Sequence, residues 1–286
     1  MHRFETFLEG VLAEAASAGC PPKLAEAMQY GVFPGGARIR PRIVLAVAKA
    51  CGAKEPEVMM SAAAAIELLH CASLVHDDLP AFDDADTRRG KPSLHRAFGE
   101  PIAVLAGDAL IVLAFEVLAR GVMAQPARLA PLIGILGGAV GSRGGIVAGQ
   151  AWESEIMIDL ERYHRAKTGA LFAGATMAGA AAAGVPHAAW RGLGEEIGAA
   201  FQVADDIRDV AMSEAELGKP VGQDVARKRP NLALNLGLAG AITHLDALIT
   251  KAMDVIPDCP GITELKAQML AETQRFLPEG LARRAA

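Results

Sequence analysis

Strand signals are nearly missing from this chain. β-branched runs are short, and Ala, Leu, Glu, Met and Arg dominate, which excludes a sheet-based fold and points to an all-α protein. Cysteine is scarce: Cys20, Cys51, Cys71 and Cys259 show neither close pairing nor metal-like spacing. They read as reduced thiols of a cytoplasmic protein, not as a disulfide framework or a zinc site. There is no excess of positive charge. The formal net charge is -5, so bulk attraction to nucleic acid is not implied, and the basic residues gather locally at Arg38, Arg40 and Arg42 and at Arg88, Arg89 and Lys91. No long hydrophobic run stands out either. The most apolar stretch, 170–185, is mostly Ala and Gly and too short to span a bilayer, so no transmembrane segment is expected. Finally, no polar linker or composition shift divides the 286 residues, which read as one domain covering 1–286.

What is present is a helical pattern broken by Gly and Pro, as at Gly19-Cys20-Pro21-Pro22, Gly90-Lys91-Pro92, Gly184-Val185-Pro186 and Gly218-Lys219-Pro220. Segments of helical length lie between the breaks, about ten in all, and imply a bundle around a central apolar cavity. Into this apolar sequence, 52% hydrophobic, two aspartate clusters are set: Asp77-Asp78 with Asp83-Asp84 and Asp86, and Asp205-Asp206 with Asp209. Carboxylates are rarely buried unless they are paired or bound to metal. Oxygen-only clusters suit Mg²⁺, with Mn²⁺ as a substitute, because Mg²⁺ takes one or two carboxylates and fills the rest of its shell with water and phosphate oxygens.

Helical geometry sharpens this. Asp205 and Asp209 are one turn apart, about 40° around a helix, and share a face. Asp77 and Asp83 are about 240° apart on a continuous helix and would diverge. Pro80 disfavours helical geometry at Leu79 and removes a donor, so a helix from about Ser61 should end near Asp78. The loop 79–82 then brings Asp83 back beside Asp77. Metal ions between such carboxylates suit a substrate with two phosphates, whose charge grows as it leaves. Arg88, Arg89, Lys167, Lys219 and Lys228 supply bidentate or point-charge contacts to phosphate. A charged mouth above an apolar interior fits a lipid diphosphate, whose allylic cation must be kept from water.

These residues, with Gly35-Gly36-Ala37-Arg38-Ile39-Arg40-Pro41, Gly107-Asp108, Gly149-Gln150, Lys167-Thr168-Gly169 and Phe201-Gln202, resemble the trans-isoprenyl diphosphate synthases, the polyprenyl synthetase family, over nearly the whole chain. The branch it resembles is the bacterial one that makes the C20 product. The resemblance implies an isoprenoid-synthase fold and a homodimer. It also implies three Mg²⁺ ions bound with substrate by Asp77, Asp83 and Asp205, supported by Asp78 and Asp209. Arg88, Lys167, Thr168, Gln202 and Lys219 then resemble the contacts to the allylic diphosphate (dimethylallyl, geranyl or farnesyl). Arg40, His70 and Arg89 resemble those to isopentenyl diphosphate, and Lys228 matches less closely. Small residues at Ala72 and Ser73, five and four positions before Asp77, imply room for a chain longer than C15. One departure concerns the isopentenyl site. The family's usual Lys is Ala37 here, so either Arg38 or Arg42 substitutes or affinity for isopentenyl diphosphate is lower. A terpene cyclase would normally lack the second Asp-rich motif, and a non-catalytic partner subunit tends to lose one; both motifs are present here.

Overall fold

The computed structural model describes residues 1–17, 19–157, 159–211 and 231–277. Lys219, Lys228 and Gly218-Lys219-Pro220 lie outside the described residues. The architecture is all-α, as the composition requires. The chain divides into two compact units. The first holds Met1–Gly137 with Ala178–Pro186; the second holds Gly138–Met177 with His187–Ala286 as far as described.

The first unit contains α1 (His2–Ala15), α2 (Pro22–Val32), α3 (Ile39–Ala50), α4 (Pro56–Asp77), α5 (Leu94–Phe98), α6 (Glu100–Gly121) and most of α7 (Leu129–Val140). α4 packs against α6 and α3, and α6 also against α2. The run Ala62 to Ala65, with Ile66, Leu68 and Leu69, is buried along α4. Such small side chains let helices approach closely. At Gly121 a Cβ would lie 1.9 Å from Ser61 Oγ, and at Gly107 it would lie 2.1 Å from His76 Nε2. Phe4, Leu8, Ile43, Leu110 and Leu118 complete the core.

α4 starts at Pro56, where a proline in the first turn gives up a donor no helix uses, and so begins earlier than the expected Ser61. Its end at Asp77 is where Pro80 predicts it. After it comes a minimal antiparallel hairpin that propensity does not signal. β1 (Thr87–Arg88) pairs with β2 (Lys91–Pro92) across Arg89-Gly90, both at positive φ. That is the backbone of a tight two-residue turn, and it fixes where Arg88 and Arg89 sit.

The second unit contains α8 (Ile146–Trp152), α9 (Leu160–His164), a π-helical turn (Arg165–Gly169), most of α10 (Ala170–Ala183), α11 (Arg191–Ala211), α12 (Leu232–Asp254) and α13 (Ile262–Thr273). α11 packs on α12 and on the π turn. Phe172, Phe201 and Phe276 stack in sequence at centroid distances of 5.3 Å, a favourable aromatic spacing.

The expected lack of any span-length apolar helix is corrected. α4, α6 and α12 are long and apolar enough to cross a membrane by length and composition, with 78%, 44% and 17% of their most apolar segments buried. Scattered single charges hide them from a search for unbroken apolar runs. In α4, burial within its own unit accounts for the composition.

Candidate functional site

The first aspartate cluster forms where α4 stops. The Asp83 N–H donates to the Asp77 carbonyl at 2.9 Å, Ala85 N–H to Asp78 O at 3.1 Å and Phe82 N–H to Leu79 O at 2.9 Å. The loop 79–82 thus folds Asp83 back onto the end of the helix. Asp77 and Asp83 are half-buried, and Asp77 faces the negative end of the helix dipole, a position that a cation relieves. Asp78 differs. It is buried, and Arg88 Nε donates to both its oxygens at 3.0 Å while Arg88 Nη2 donates to Oδ1. Burial raises its pKa against the opposing pull of Arg88. Asp78 thus anchors Arg88 and, through it, the hairpin.

The isopentenyl-type residues gather in the same unit. Arg40 Nη1 lies 3.4 Å from His70 Nε2, and the Arg89 guanidinium lies over Gly36, where a Cβ would meet it at 3.2 Å. Burial, then repulsion from Arg40, Arg89, Arg88 and Arg38, holds the His70 pKa well below the ordinary imidazole value, so the ring is neutral. Burial likewise lowers Arg40 to about 10, with Arg89 adding to the shift and Glu67 opposing it. This is a compressed group of cations suited to a polyanion.

Arg38 adds to the repulsion on His70 but points its donors elsewhere. Only 4% exposed, it is ion-paired to Glu5 and Glu67, so its donors are spent inside the protein. Ala37 itself is exposed. Ala72 is buried, and Ser73 Oγ donates to the His70 carbonyl at 2.8 Å.

In the second unit Lys167 sits in the π turn. Such turns recur at functional sites because the extra residue re-aims side chains. Gly149 is required there, since a Cβ would lie 2.4 Å from Lys167 N. Lys167 Nζ donates to Glu153 Oε1 at 2.7 Å, Tyr163 Oη donates to the same oxygen at 2.6 Å, and Gln150 Nε2 donates to Oε2 at 3.3 Å. Thr168 Oγ1 donates to Gln202 Oε1 at 2.8 Å; Gln202 Nε2 donates to Asp206 Oδ1 at 3.0 Å. The other oxygen of Asp206 accepts the Leu232 N–H at 2.8 Å, at the start of α12. Asp206 is buried; Asp205 and Asp209 are half-buried, and Asp205 accepts from Arg208 Nη2 at 2.9 Å.

Glu153 and Tyr163 escape a reading of the sequence. The signal available is the position of Glu153, three residues and one helical turn beyond Gln150.

Among the described residues no group of three or more His, Cys, Asp or Glu side chains is arranged to hold a metal. Pairs of half-exposed carboxylates nonetheless fit Mg²⁺, which leaves most of its shell to water and substrate phosphate. Asp77 with Asp83, and Asp205 with Asp209, are the residues that would hold it.

The polyprenyl synthetase family profile matches residues 21–259. The chain is 56% identical over 268 residues to geranylgeranyl diphosphate synthase of Rhodobacter capsulatus, covering 94% of this chain and 92% of that one. It is 50% identical over 285 residues to the enzyme of the same name from Cereibacter sphaeroides, covering 98% and 99%. Among solved structures, a geranyltransferase from Helicobacter pylori complexed with magnesium and isoprenyl diphosphate is similar, with TM-score 0.82, 31% identity, and coverage of 96% of this chain and 95% of that one.

Proposed function

The chain belongs to the polyprenyl synthetase family, and from that premise we propose that it is a magnesium-dependent prenyltransferase making geranylgeranyl diphosphate from isopentenyl diphosphate and allylic diphosphates. The observation that carries the C20 assignment is near-full-length identity of 56% and 50% to two bacterial proteins of that name. We read residues 1–286 as one catalytic domain on the ground that the family match runs continuously across both units.

In this reading the allylic C–O bond breaks and its electron pair leaves with the diphosphate. The homoallylic double bond of isopentenyl diphosphate attacks the resulting cation to form a C–C bond. A proton is then lost to the released diphosphate. The Mg²⁺ ions, when bound, neutralise charge that develops on the leaving group. The chain's own residues bind and orient. Lys167 supplies a point charge to the allylic diphosphate beside Thr168 and Gln202. Arg40, Arg89 and neutral His70 receive the isopentenyl diphosphate, and Arg88, held by Asp78, belongs with the allylic contacts on resemblance. No protein nucleophile takes part. Lys219 and Lys228 belong to the proposal on resemblance alone.

A cytoplasmic homodimer feeding carotenoid or bacteriochlorophyll-type synthesis completes the reading. Exposed Val104, Leu105 and Val112 on α6 support self-association, since a second copy would cover them. A C15 product is the second reading, favoured by the likeness to a solved geranyltransferase. One assay separates the two: labelled isopentenyl diphosphate with each allylic primer, products resolved by length. C20 is expected from every primer, and Ala72→Phe should shift the main product towards C15. A wild-type product that stops at C15 would defeat the C20 assignment.

A further inference from the structure

The entry to α3, just before Arg40, is held by Arg38, whose guanidinium is spent on partners inside the protein. Arg38 caps α3 at φ 52°, a left-handed backbone that a non-glycine residue keeps only when its surroundings over-determine it. Its guanidinium supplies the determination. Nε and Nη2 donate to the two oxygens of Glu5 at 3.0 and 3.2 Å, Nη1 donates to Glu67 Oε1 at 2.5 Å, and Nη2 also donates to Val32 O at 3.0 Å. Gly35 makes the space, because a Cβ there would lie 2.0 Å from Arg38 Cζ. One side chain thus ties α1, the end of α2 and α4 to a single loop.

The consequence falls on Arg40 and His70. Arg40 follows Arg38 by two residues at the start of α3, and Glu67 precedes His70 by one turn on α4. The Arg38–Glu67 pair therefore anchors both partners of the 3.4 Å Arg40–His70 approach. The charges agree with the geometry. Burial alone would lower the Arg38 pKa, yet Glu5 and Glu67 raise it, and Glu67 also opposes the depression at Arg40. Two carboxylates on one guanidinium leave a formal negative charge close to Arg40, His70 and Arg89, which are half-buried, and it offsets part of their mutual repulsion.

We propose that Glu5 and Glu67 are positioning residues for the isopentenyl diphosphate site, acting through Arg38, so that α1 takes part in selecting that substrate. The proposal rests on the reading of Arg40 as a contact to isopentenyl diphosphate. The test is steady-state kinetics on the full chain, with both substrates varied, for wild type, Glu5→Gln, Glu5→Asp and Arg40→Ala. Glu5 is the residue to change because it is partly exposed, whereas Glu67 is buried and its loss threatens folding. Melting temperatures are measured alongside. Glu5→Gln is expected to raise KM for isopentenyl diphosphate about three- to tenfold, the size of one weakened charge-assisted hydrogen bond, with KM for the allylic substrate and kcat nearly unchanged. Glu5→Asp should recover part of the loss. If Arg40→Ala raises that KM and Glu5→Gln does not, or if Glu5→Gln moves both KM values and kcat together, the positioning role is overturned while the substrate assignment stands. If Arg40→Ala leaves the KM unchanged, the substrate assignment fails and takes this proposal with it.

Discussion

Asp78 and Asp206 are the second members of two aspartate pairs in two different units, and both turn inward. Asp78 binds Arg88 and fixes the hairpin; Asp206 binds Gln202 and the Leu232 N–H at the start of α12. Their neighbours Asp77 and Asp205 stay half-buried. The units part company in how they hold positive charge. In the first, Arg40, His70 and Arg89 are crowded together, and burial with mutual repulsion depresses His70 and Arg40. In the second, Lys167 rests on Glu153 and Arg208 on Asp205. One region stores positive potential that a diphosphate would discharge. The other would exchange an internal partner for its ligand, losing one ion pair to make another.

The sharpest way to break the comparison is to separate inward from outward aspartates. Asp77→Ala and Asp205→Ala should each lower kcat by roughly 10²–10³, the scale of removing one group that stabilises developing charge, with melting temperature little changed. EDTA should abolish turnover in wild type. Asp206→Ala should instead cost stability first, about 1–3 kcal/mol for the buried groups left unsatisfied, read by urea unfolding. If Asp205→Ala and Asp206→Ala behave alike, the division into outward and inward members is wrong.

The inward turn is not legible in the sequence, and the reason is physical. Spacing alone places Asp205 and Asp209 on one face and shows that Pro80 must end α4 near Asp78; both follow from local backbone rules, and α4 does end there. What Asp78 or Arg38 touches depends on partners 10 to 33 residues away, Arg88 and Glu5, and no local rule supplies those. The hairpin escapes notice because Arg89 takes a positive φ that turn statistics assign to Gly or Asn. Ala37 stands out as a departure, but Arg38 looks like its equivalent only because charge, unlike burial, is visible in a sequence.

Ala37→Lys tests whether the first unit's potential is still short of a contact. Ala37 is exposed and Arg38 is occupied, so a lysine there should add a charge-assisted bond to isopentenyl diphosphate, worth about 1.5–3 kcal/mol before side-chain entropy is subtracted. KM for that substrate should fall about tenfold while the allylic KM holds. An unchanged value would indicate that Arg42 already fills the role. Glu153→Gln probes the second unit. Gln keeps an acceptor for Tyr163 but removes the charge that competes for Lys167. Breaking a partly exposed pair costs about 0.2–1 kcal/mol, so the allylic KM should drop about two- to fivefold. A rise would mean that Glu153 positions Lys167 instead of competing with its ligand.

A last effect separates the units by pH. His70 in the folded protein has a pKa well below that of the unfolded chain, near 6.5. Below that pH the unfolded state takes up a proton that the folded state refuses, because the imidazolium would face Arg40, Arg89 and Arg88. Stability therefore falls as pH drops through 6.5 and is fully retained above it. A single such site gives about 1 kcal/mol between pH 7 and 5.5. His70→Gln keeps a polar side chain beside Arg40 without a titrating ring. Its urea-unfolding free energy should lose about that much less than wild type over the same range. Diphosphate should act the same way, since an anion among the cations raises the His70 pKa and lets the folded state accept the proton. Equal pH slopes for wild type and His70→Gln would show that the cation group is less compressed than its geometry implies.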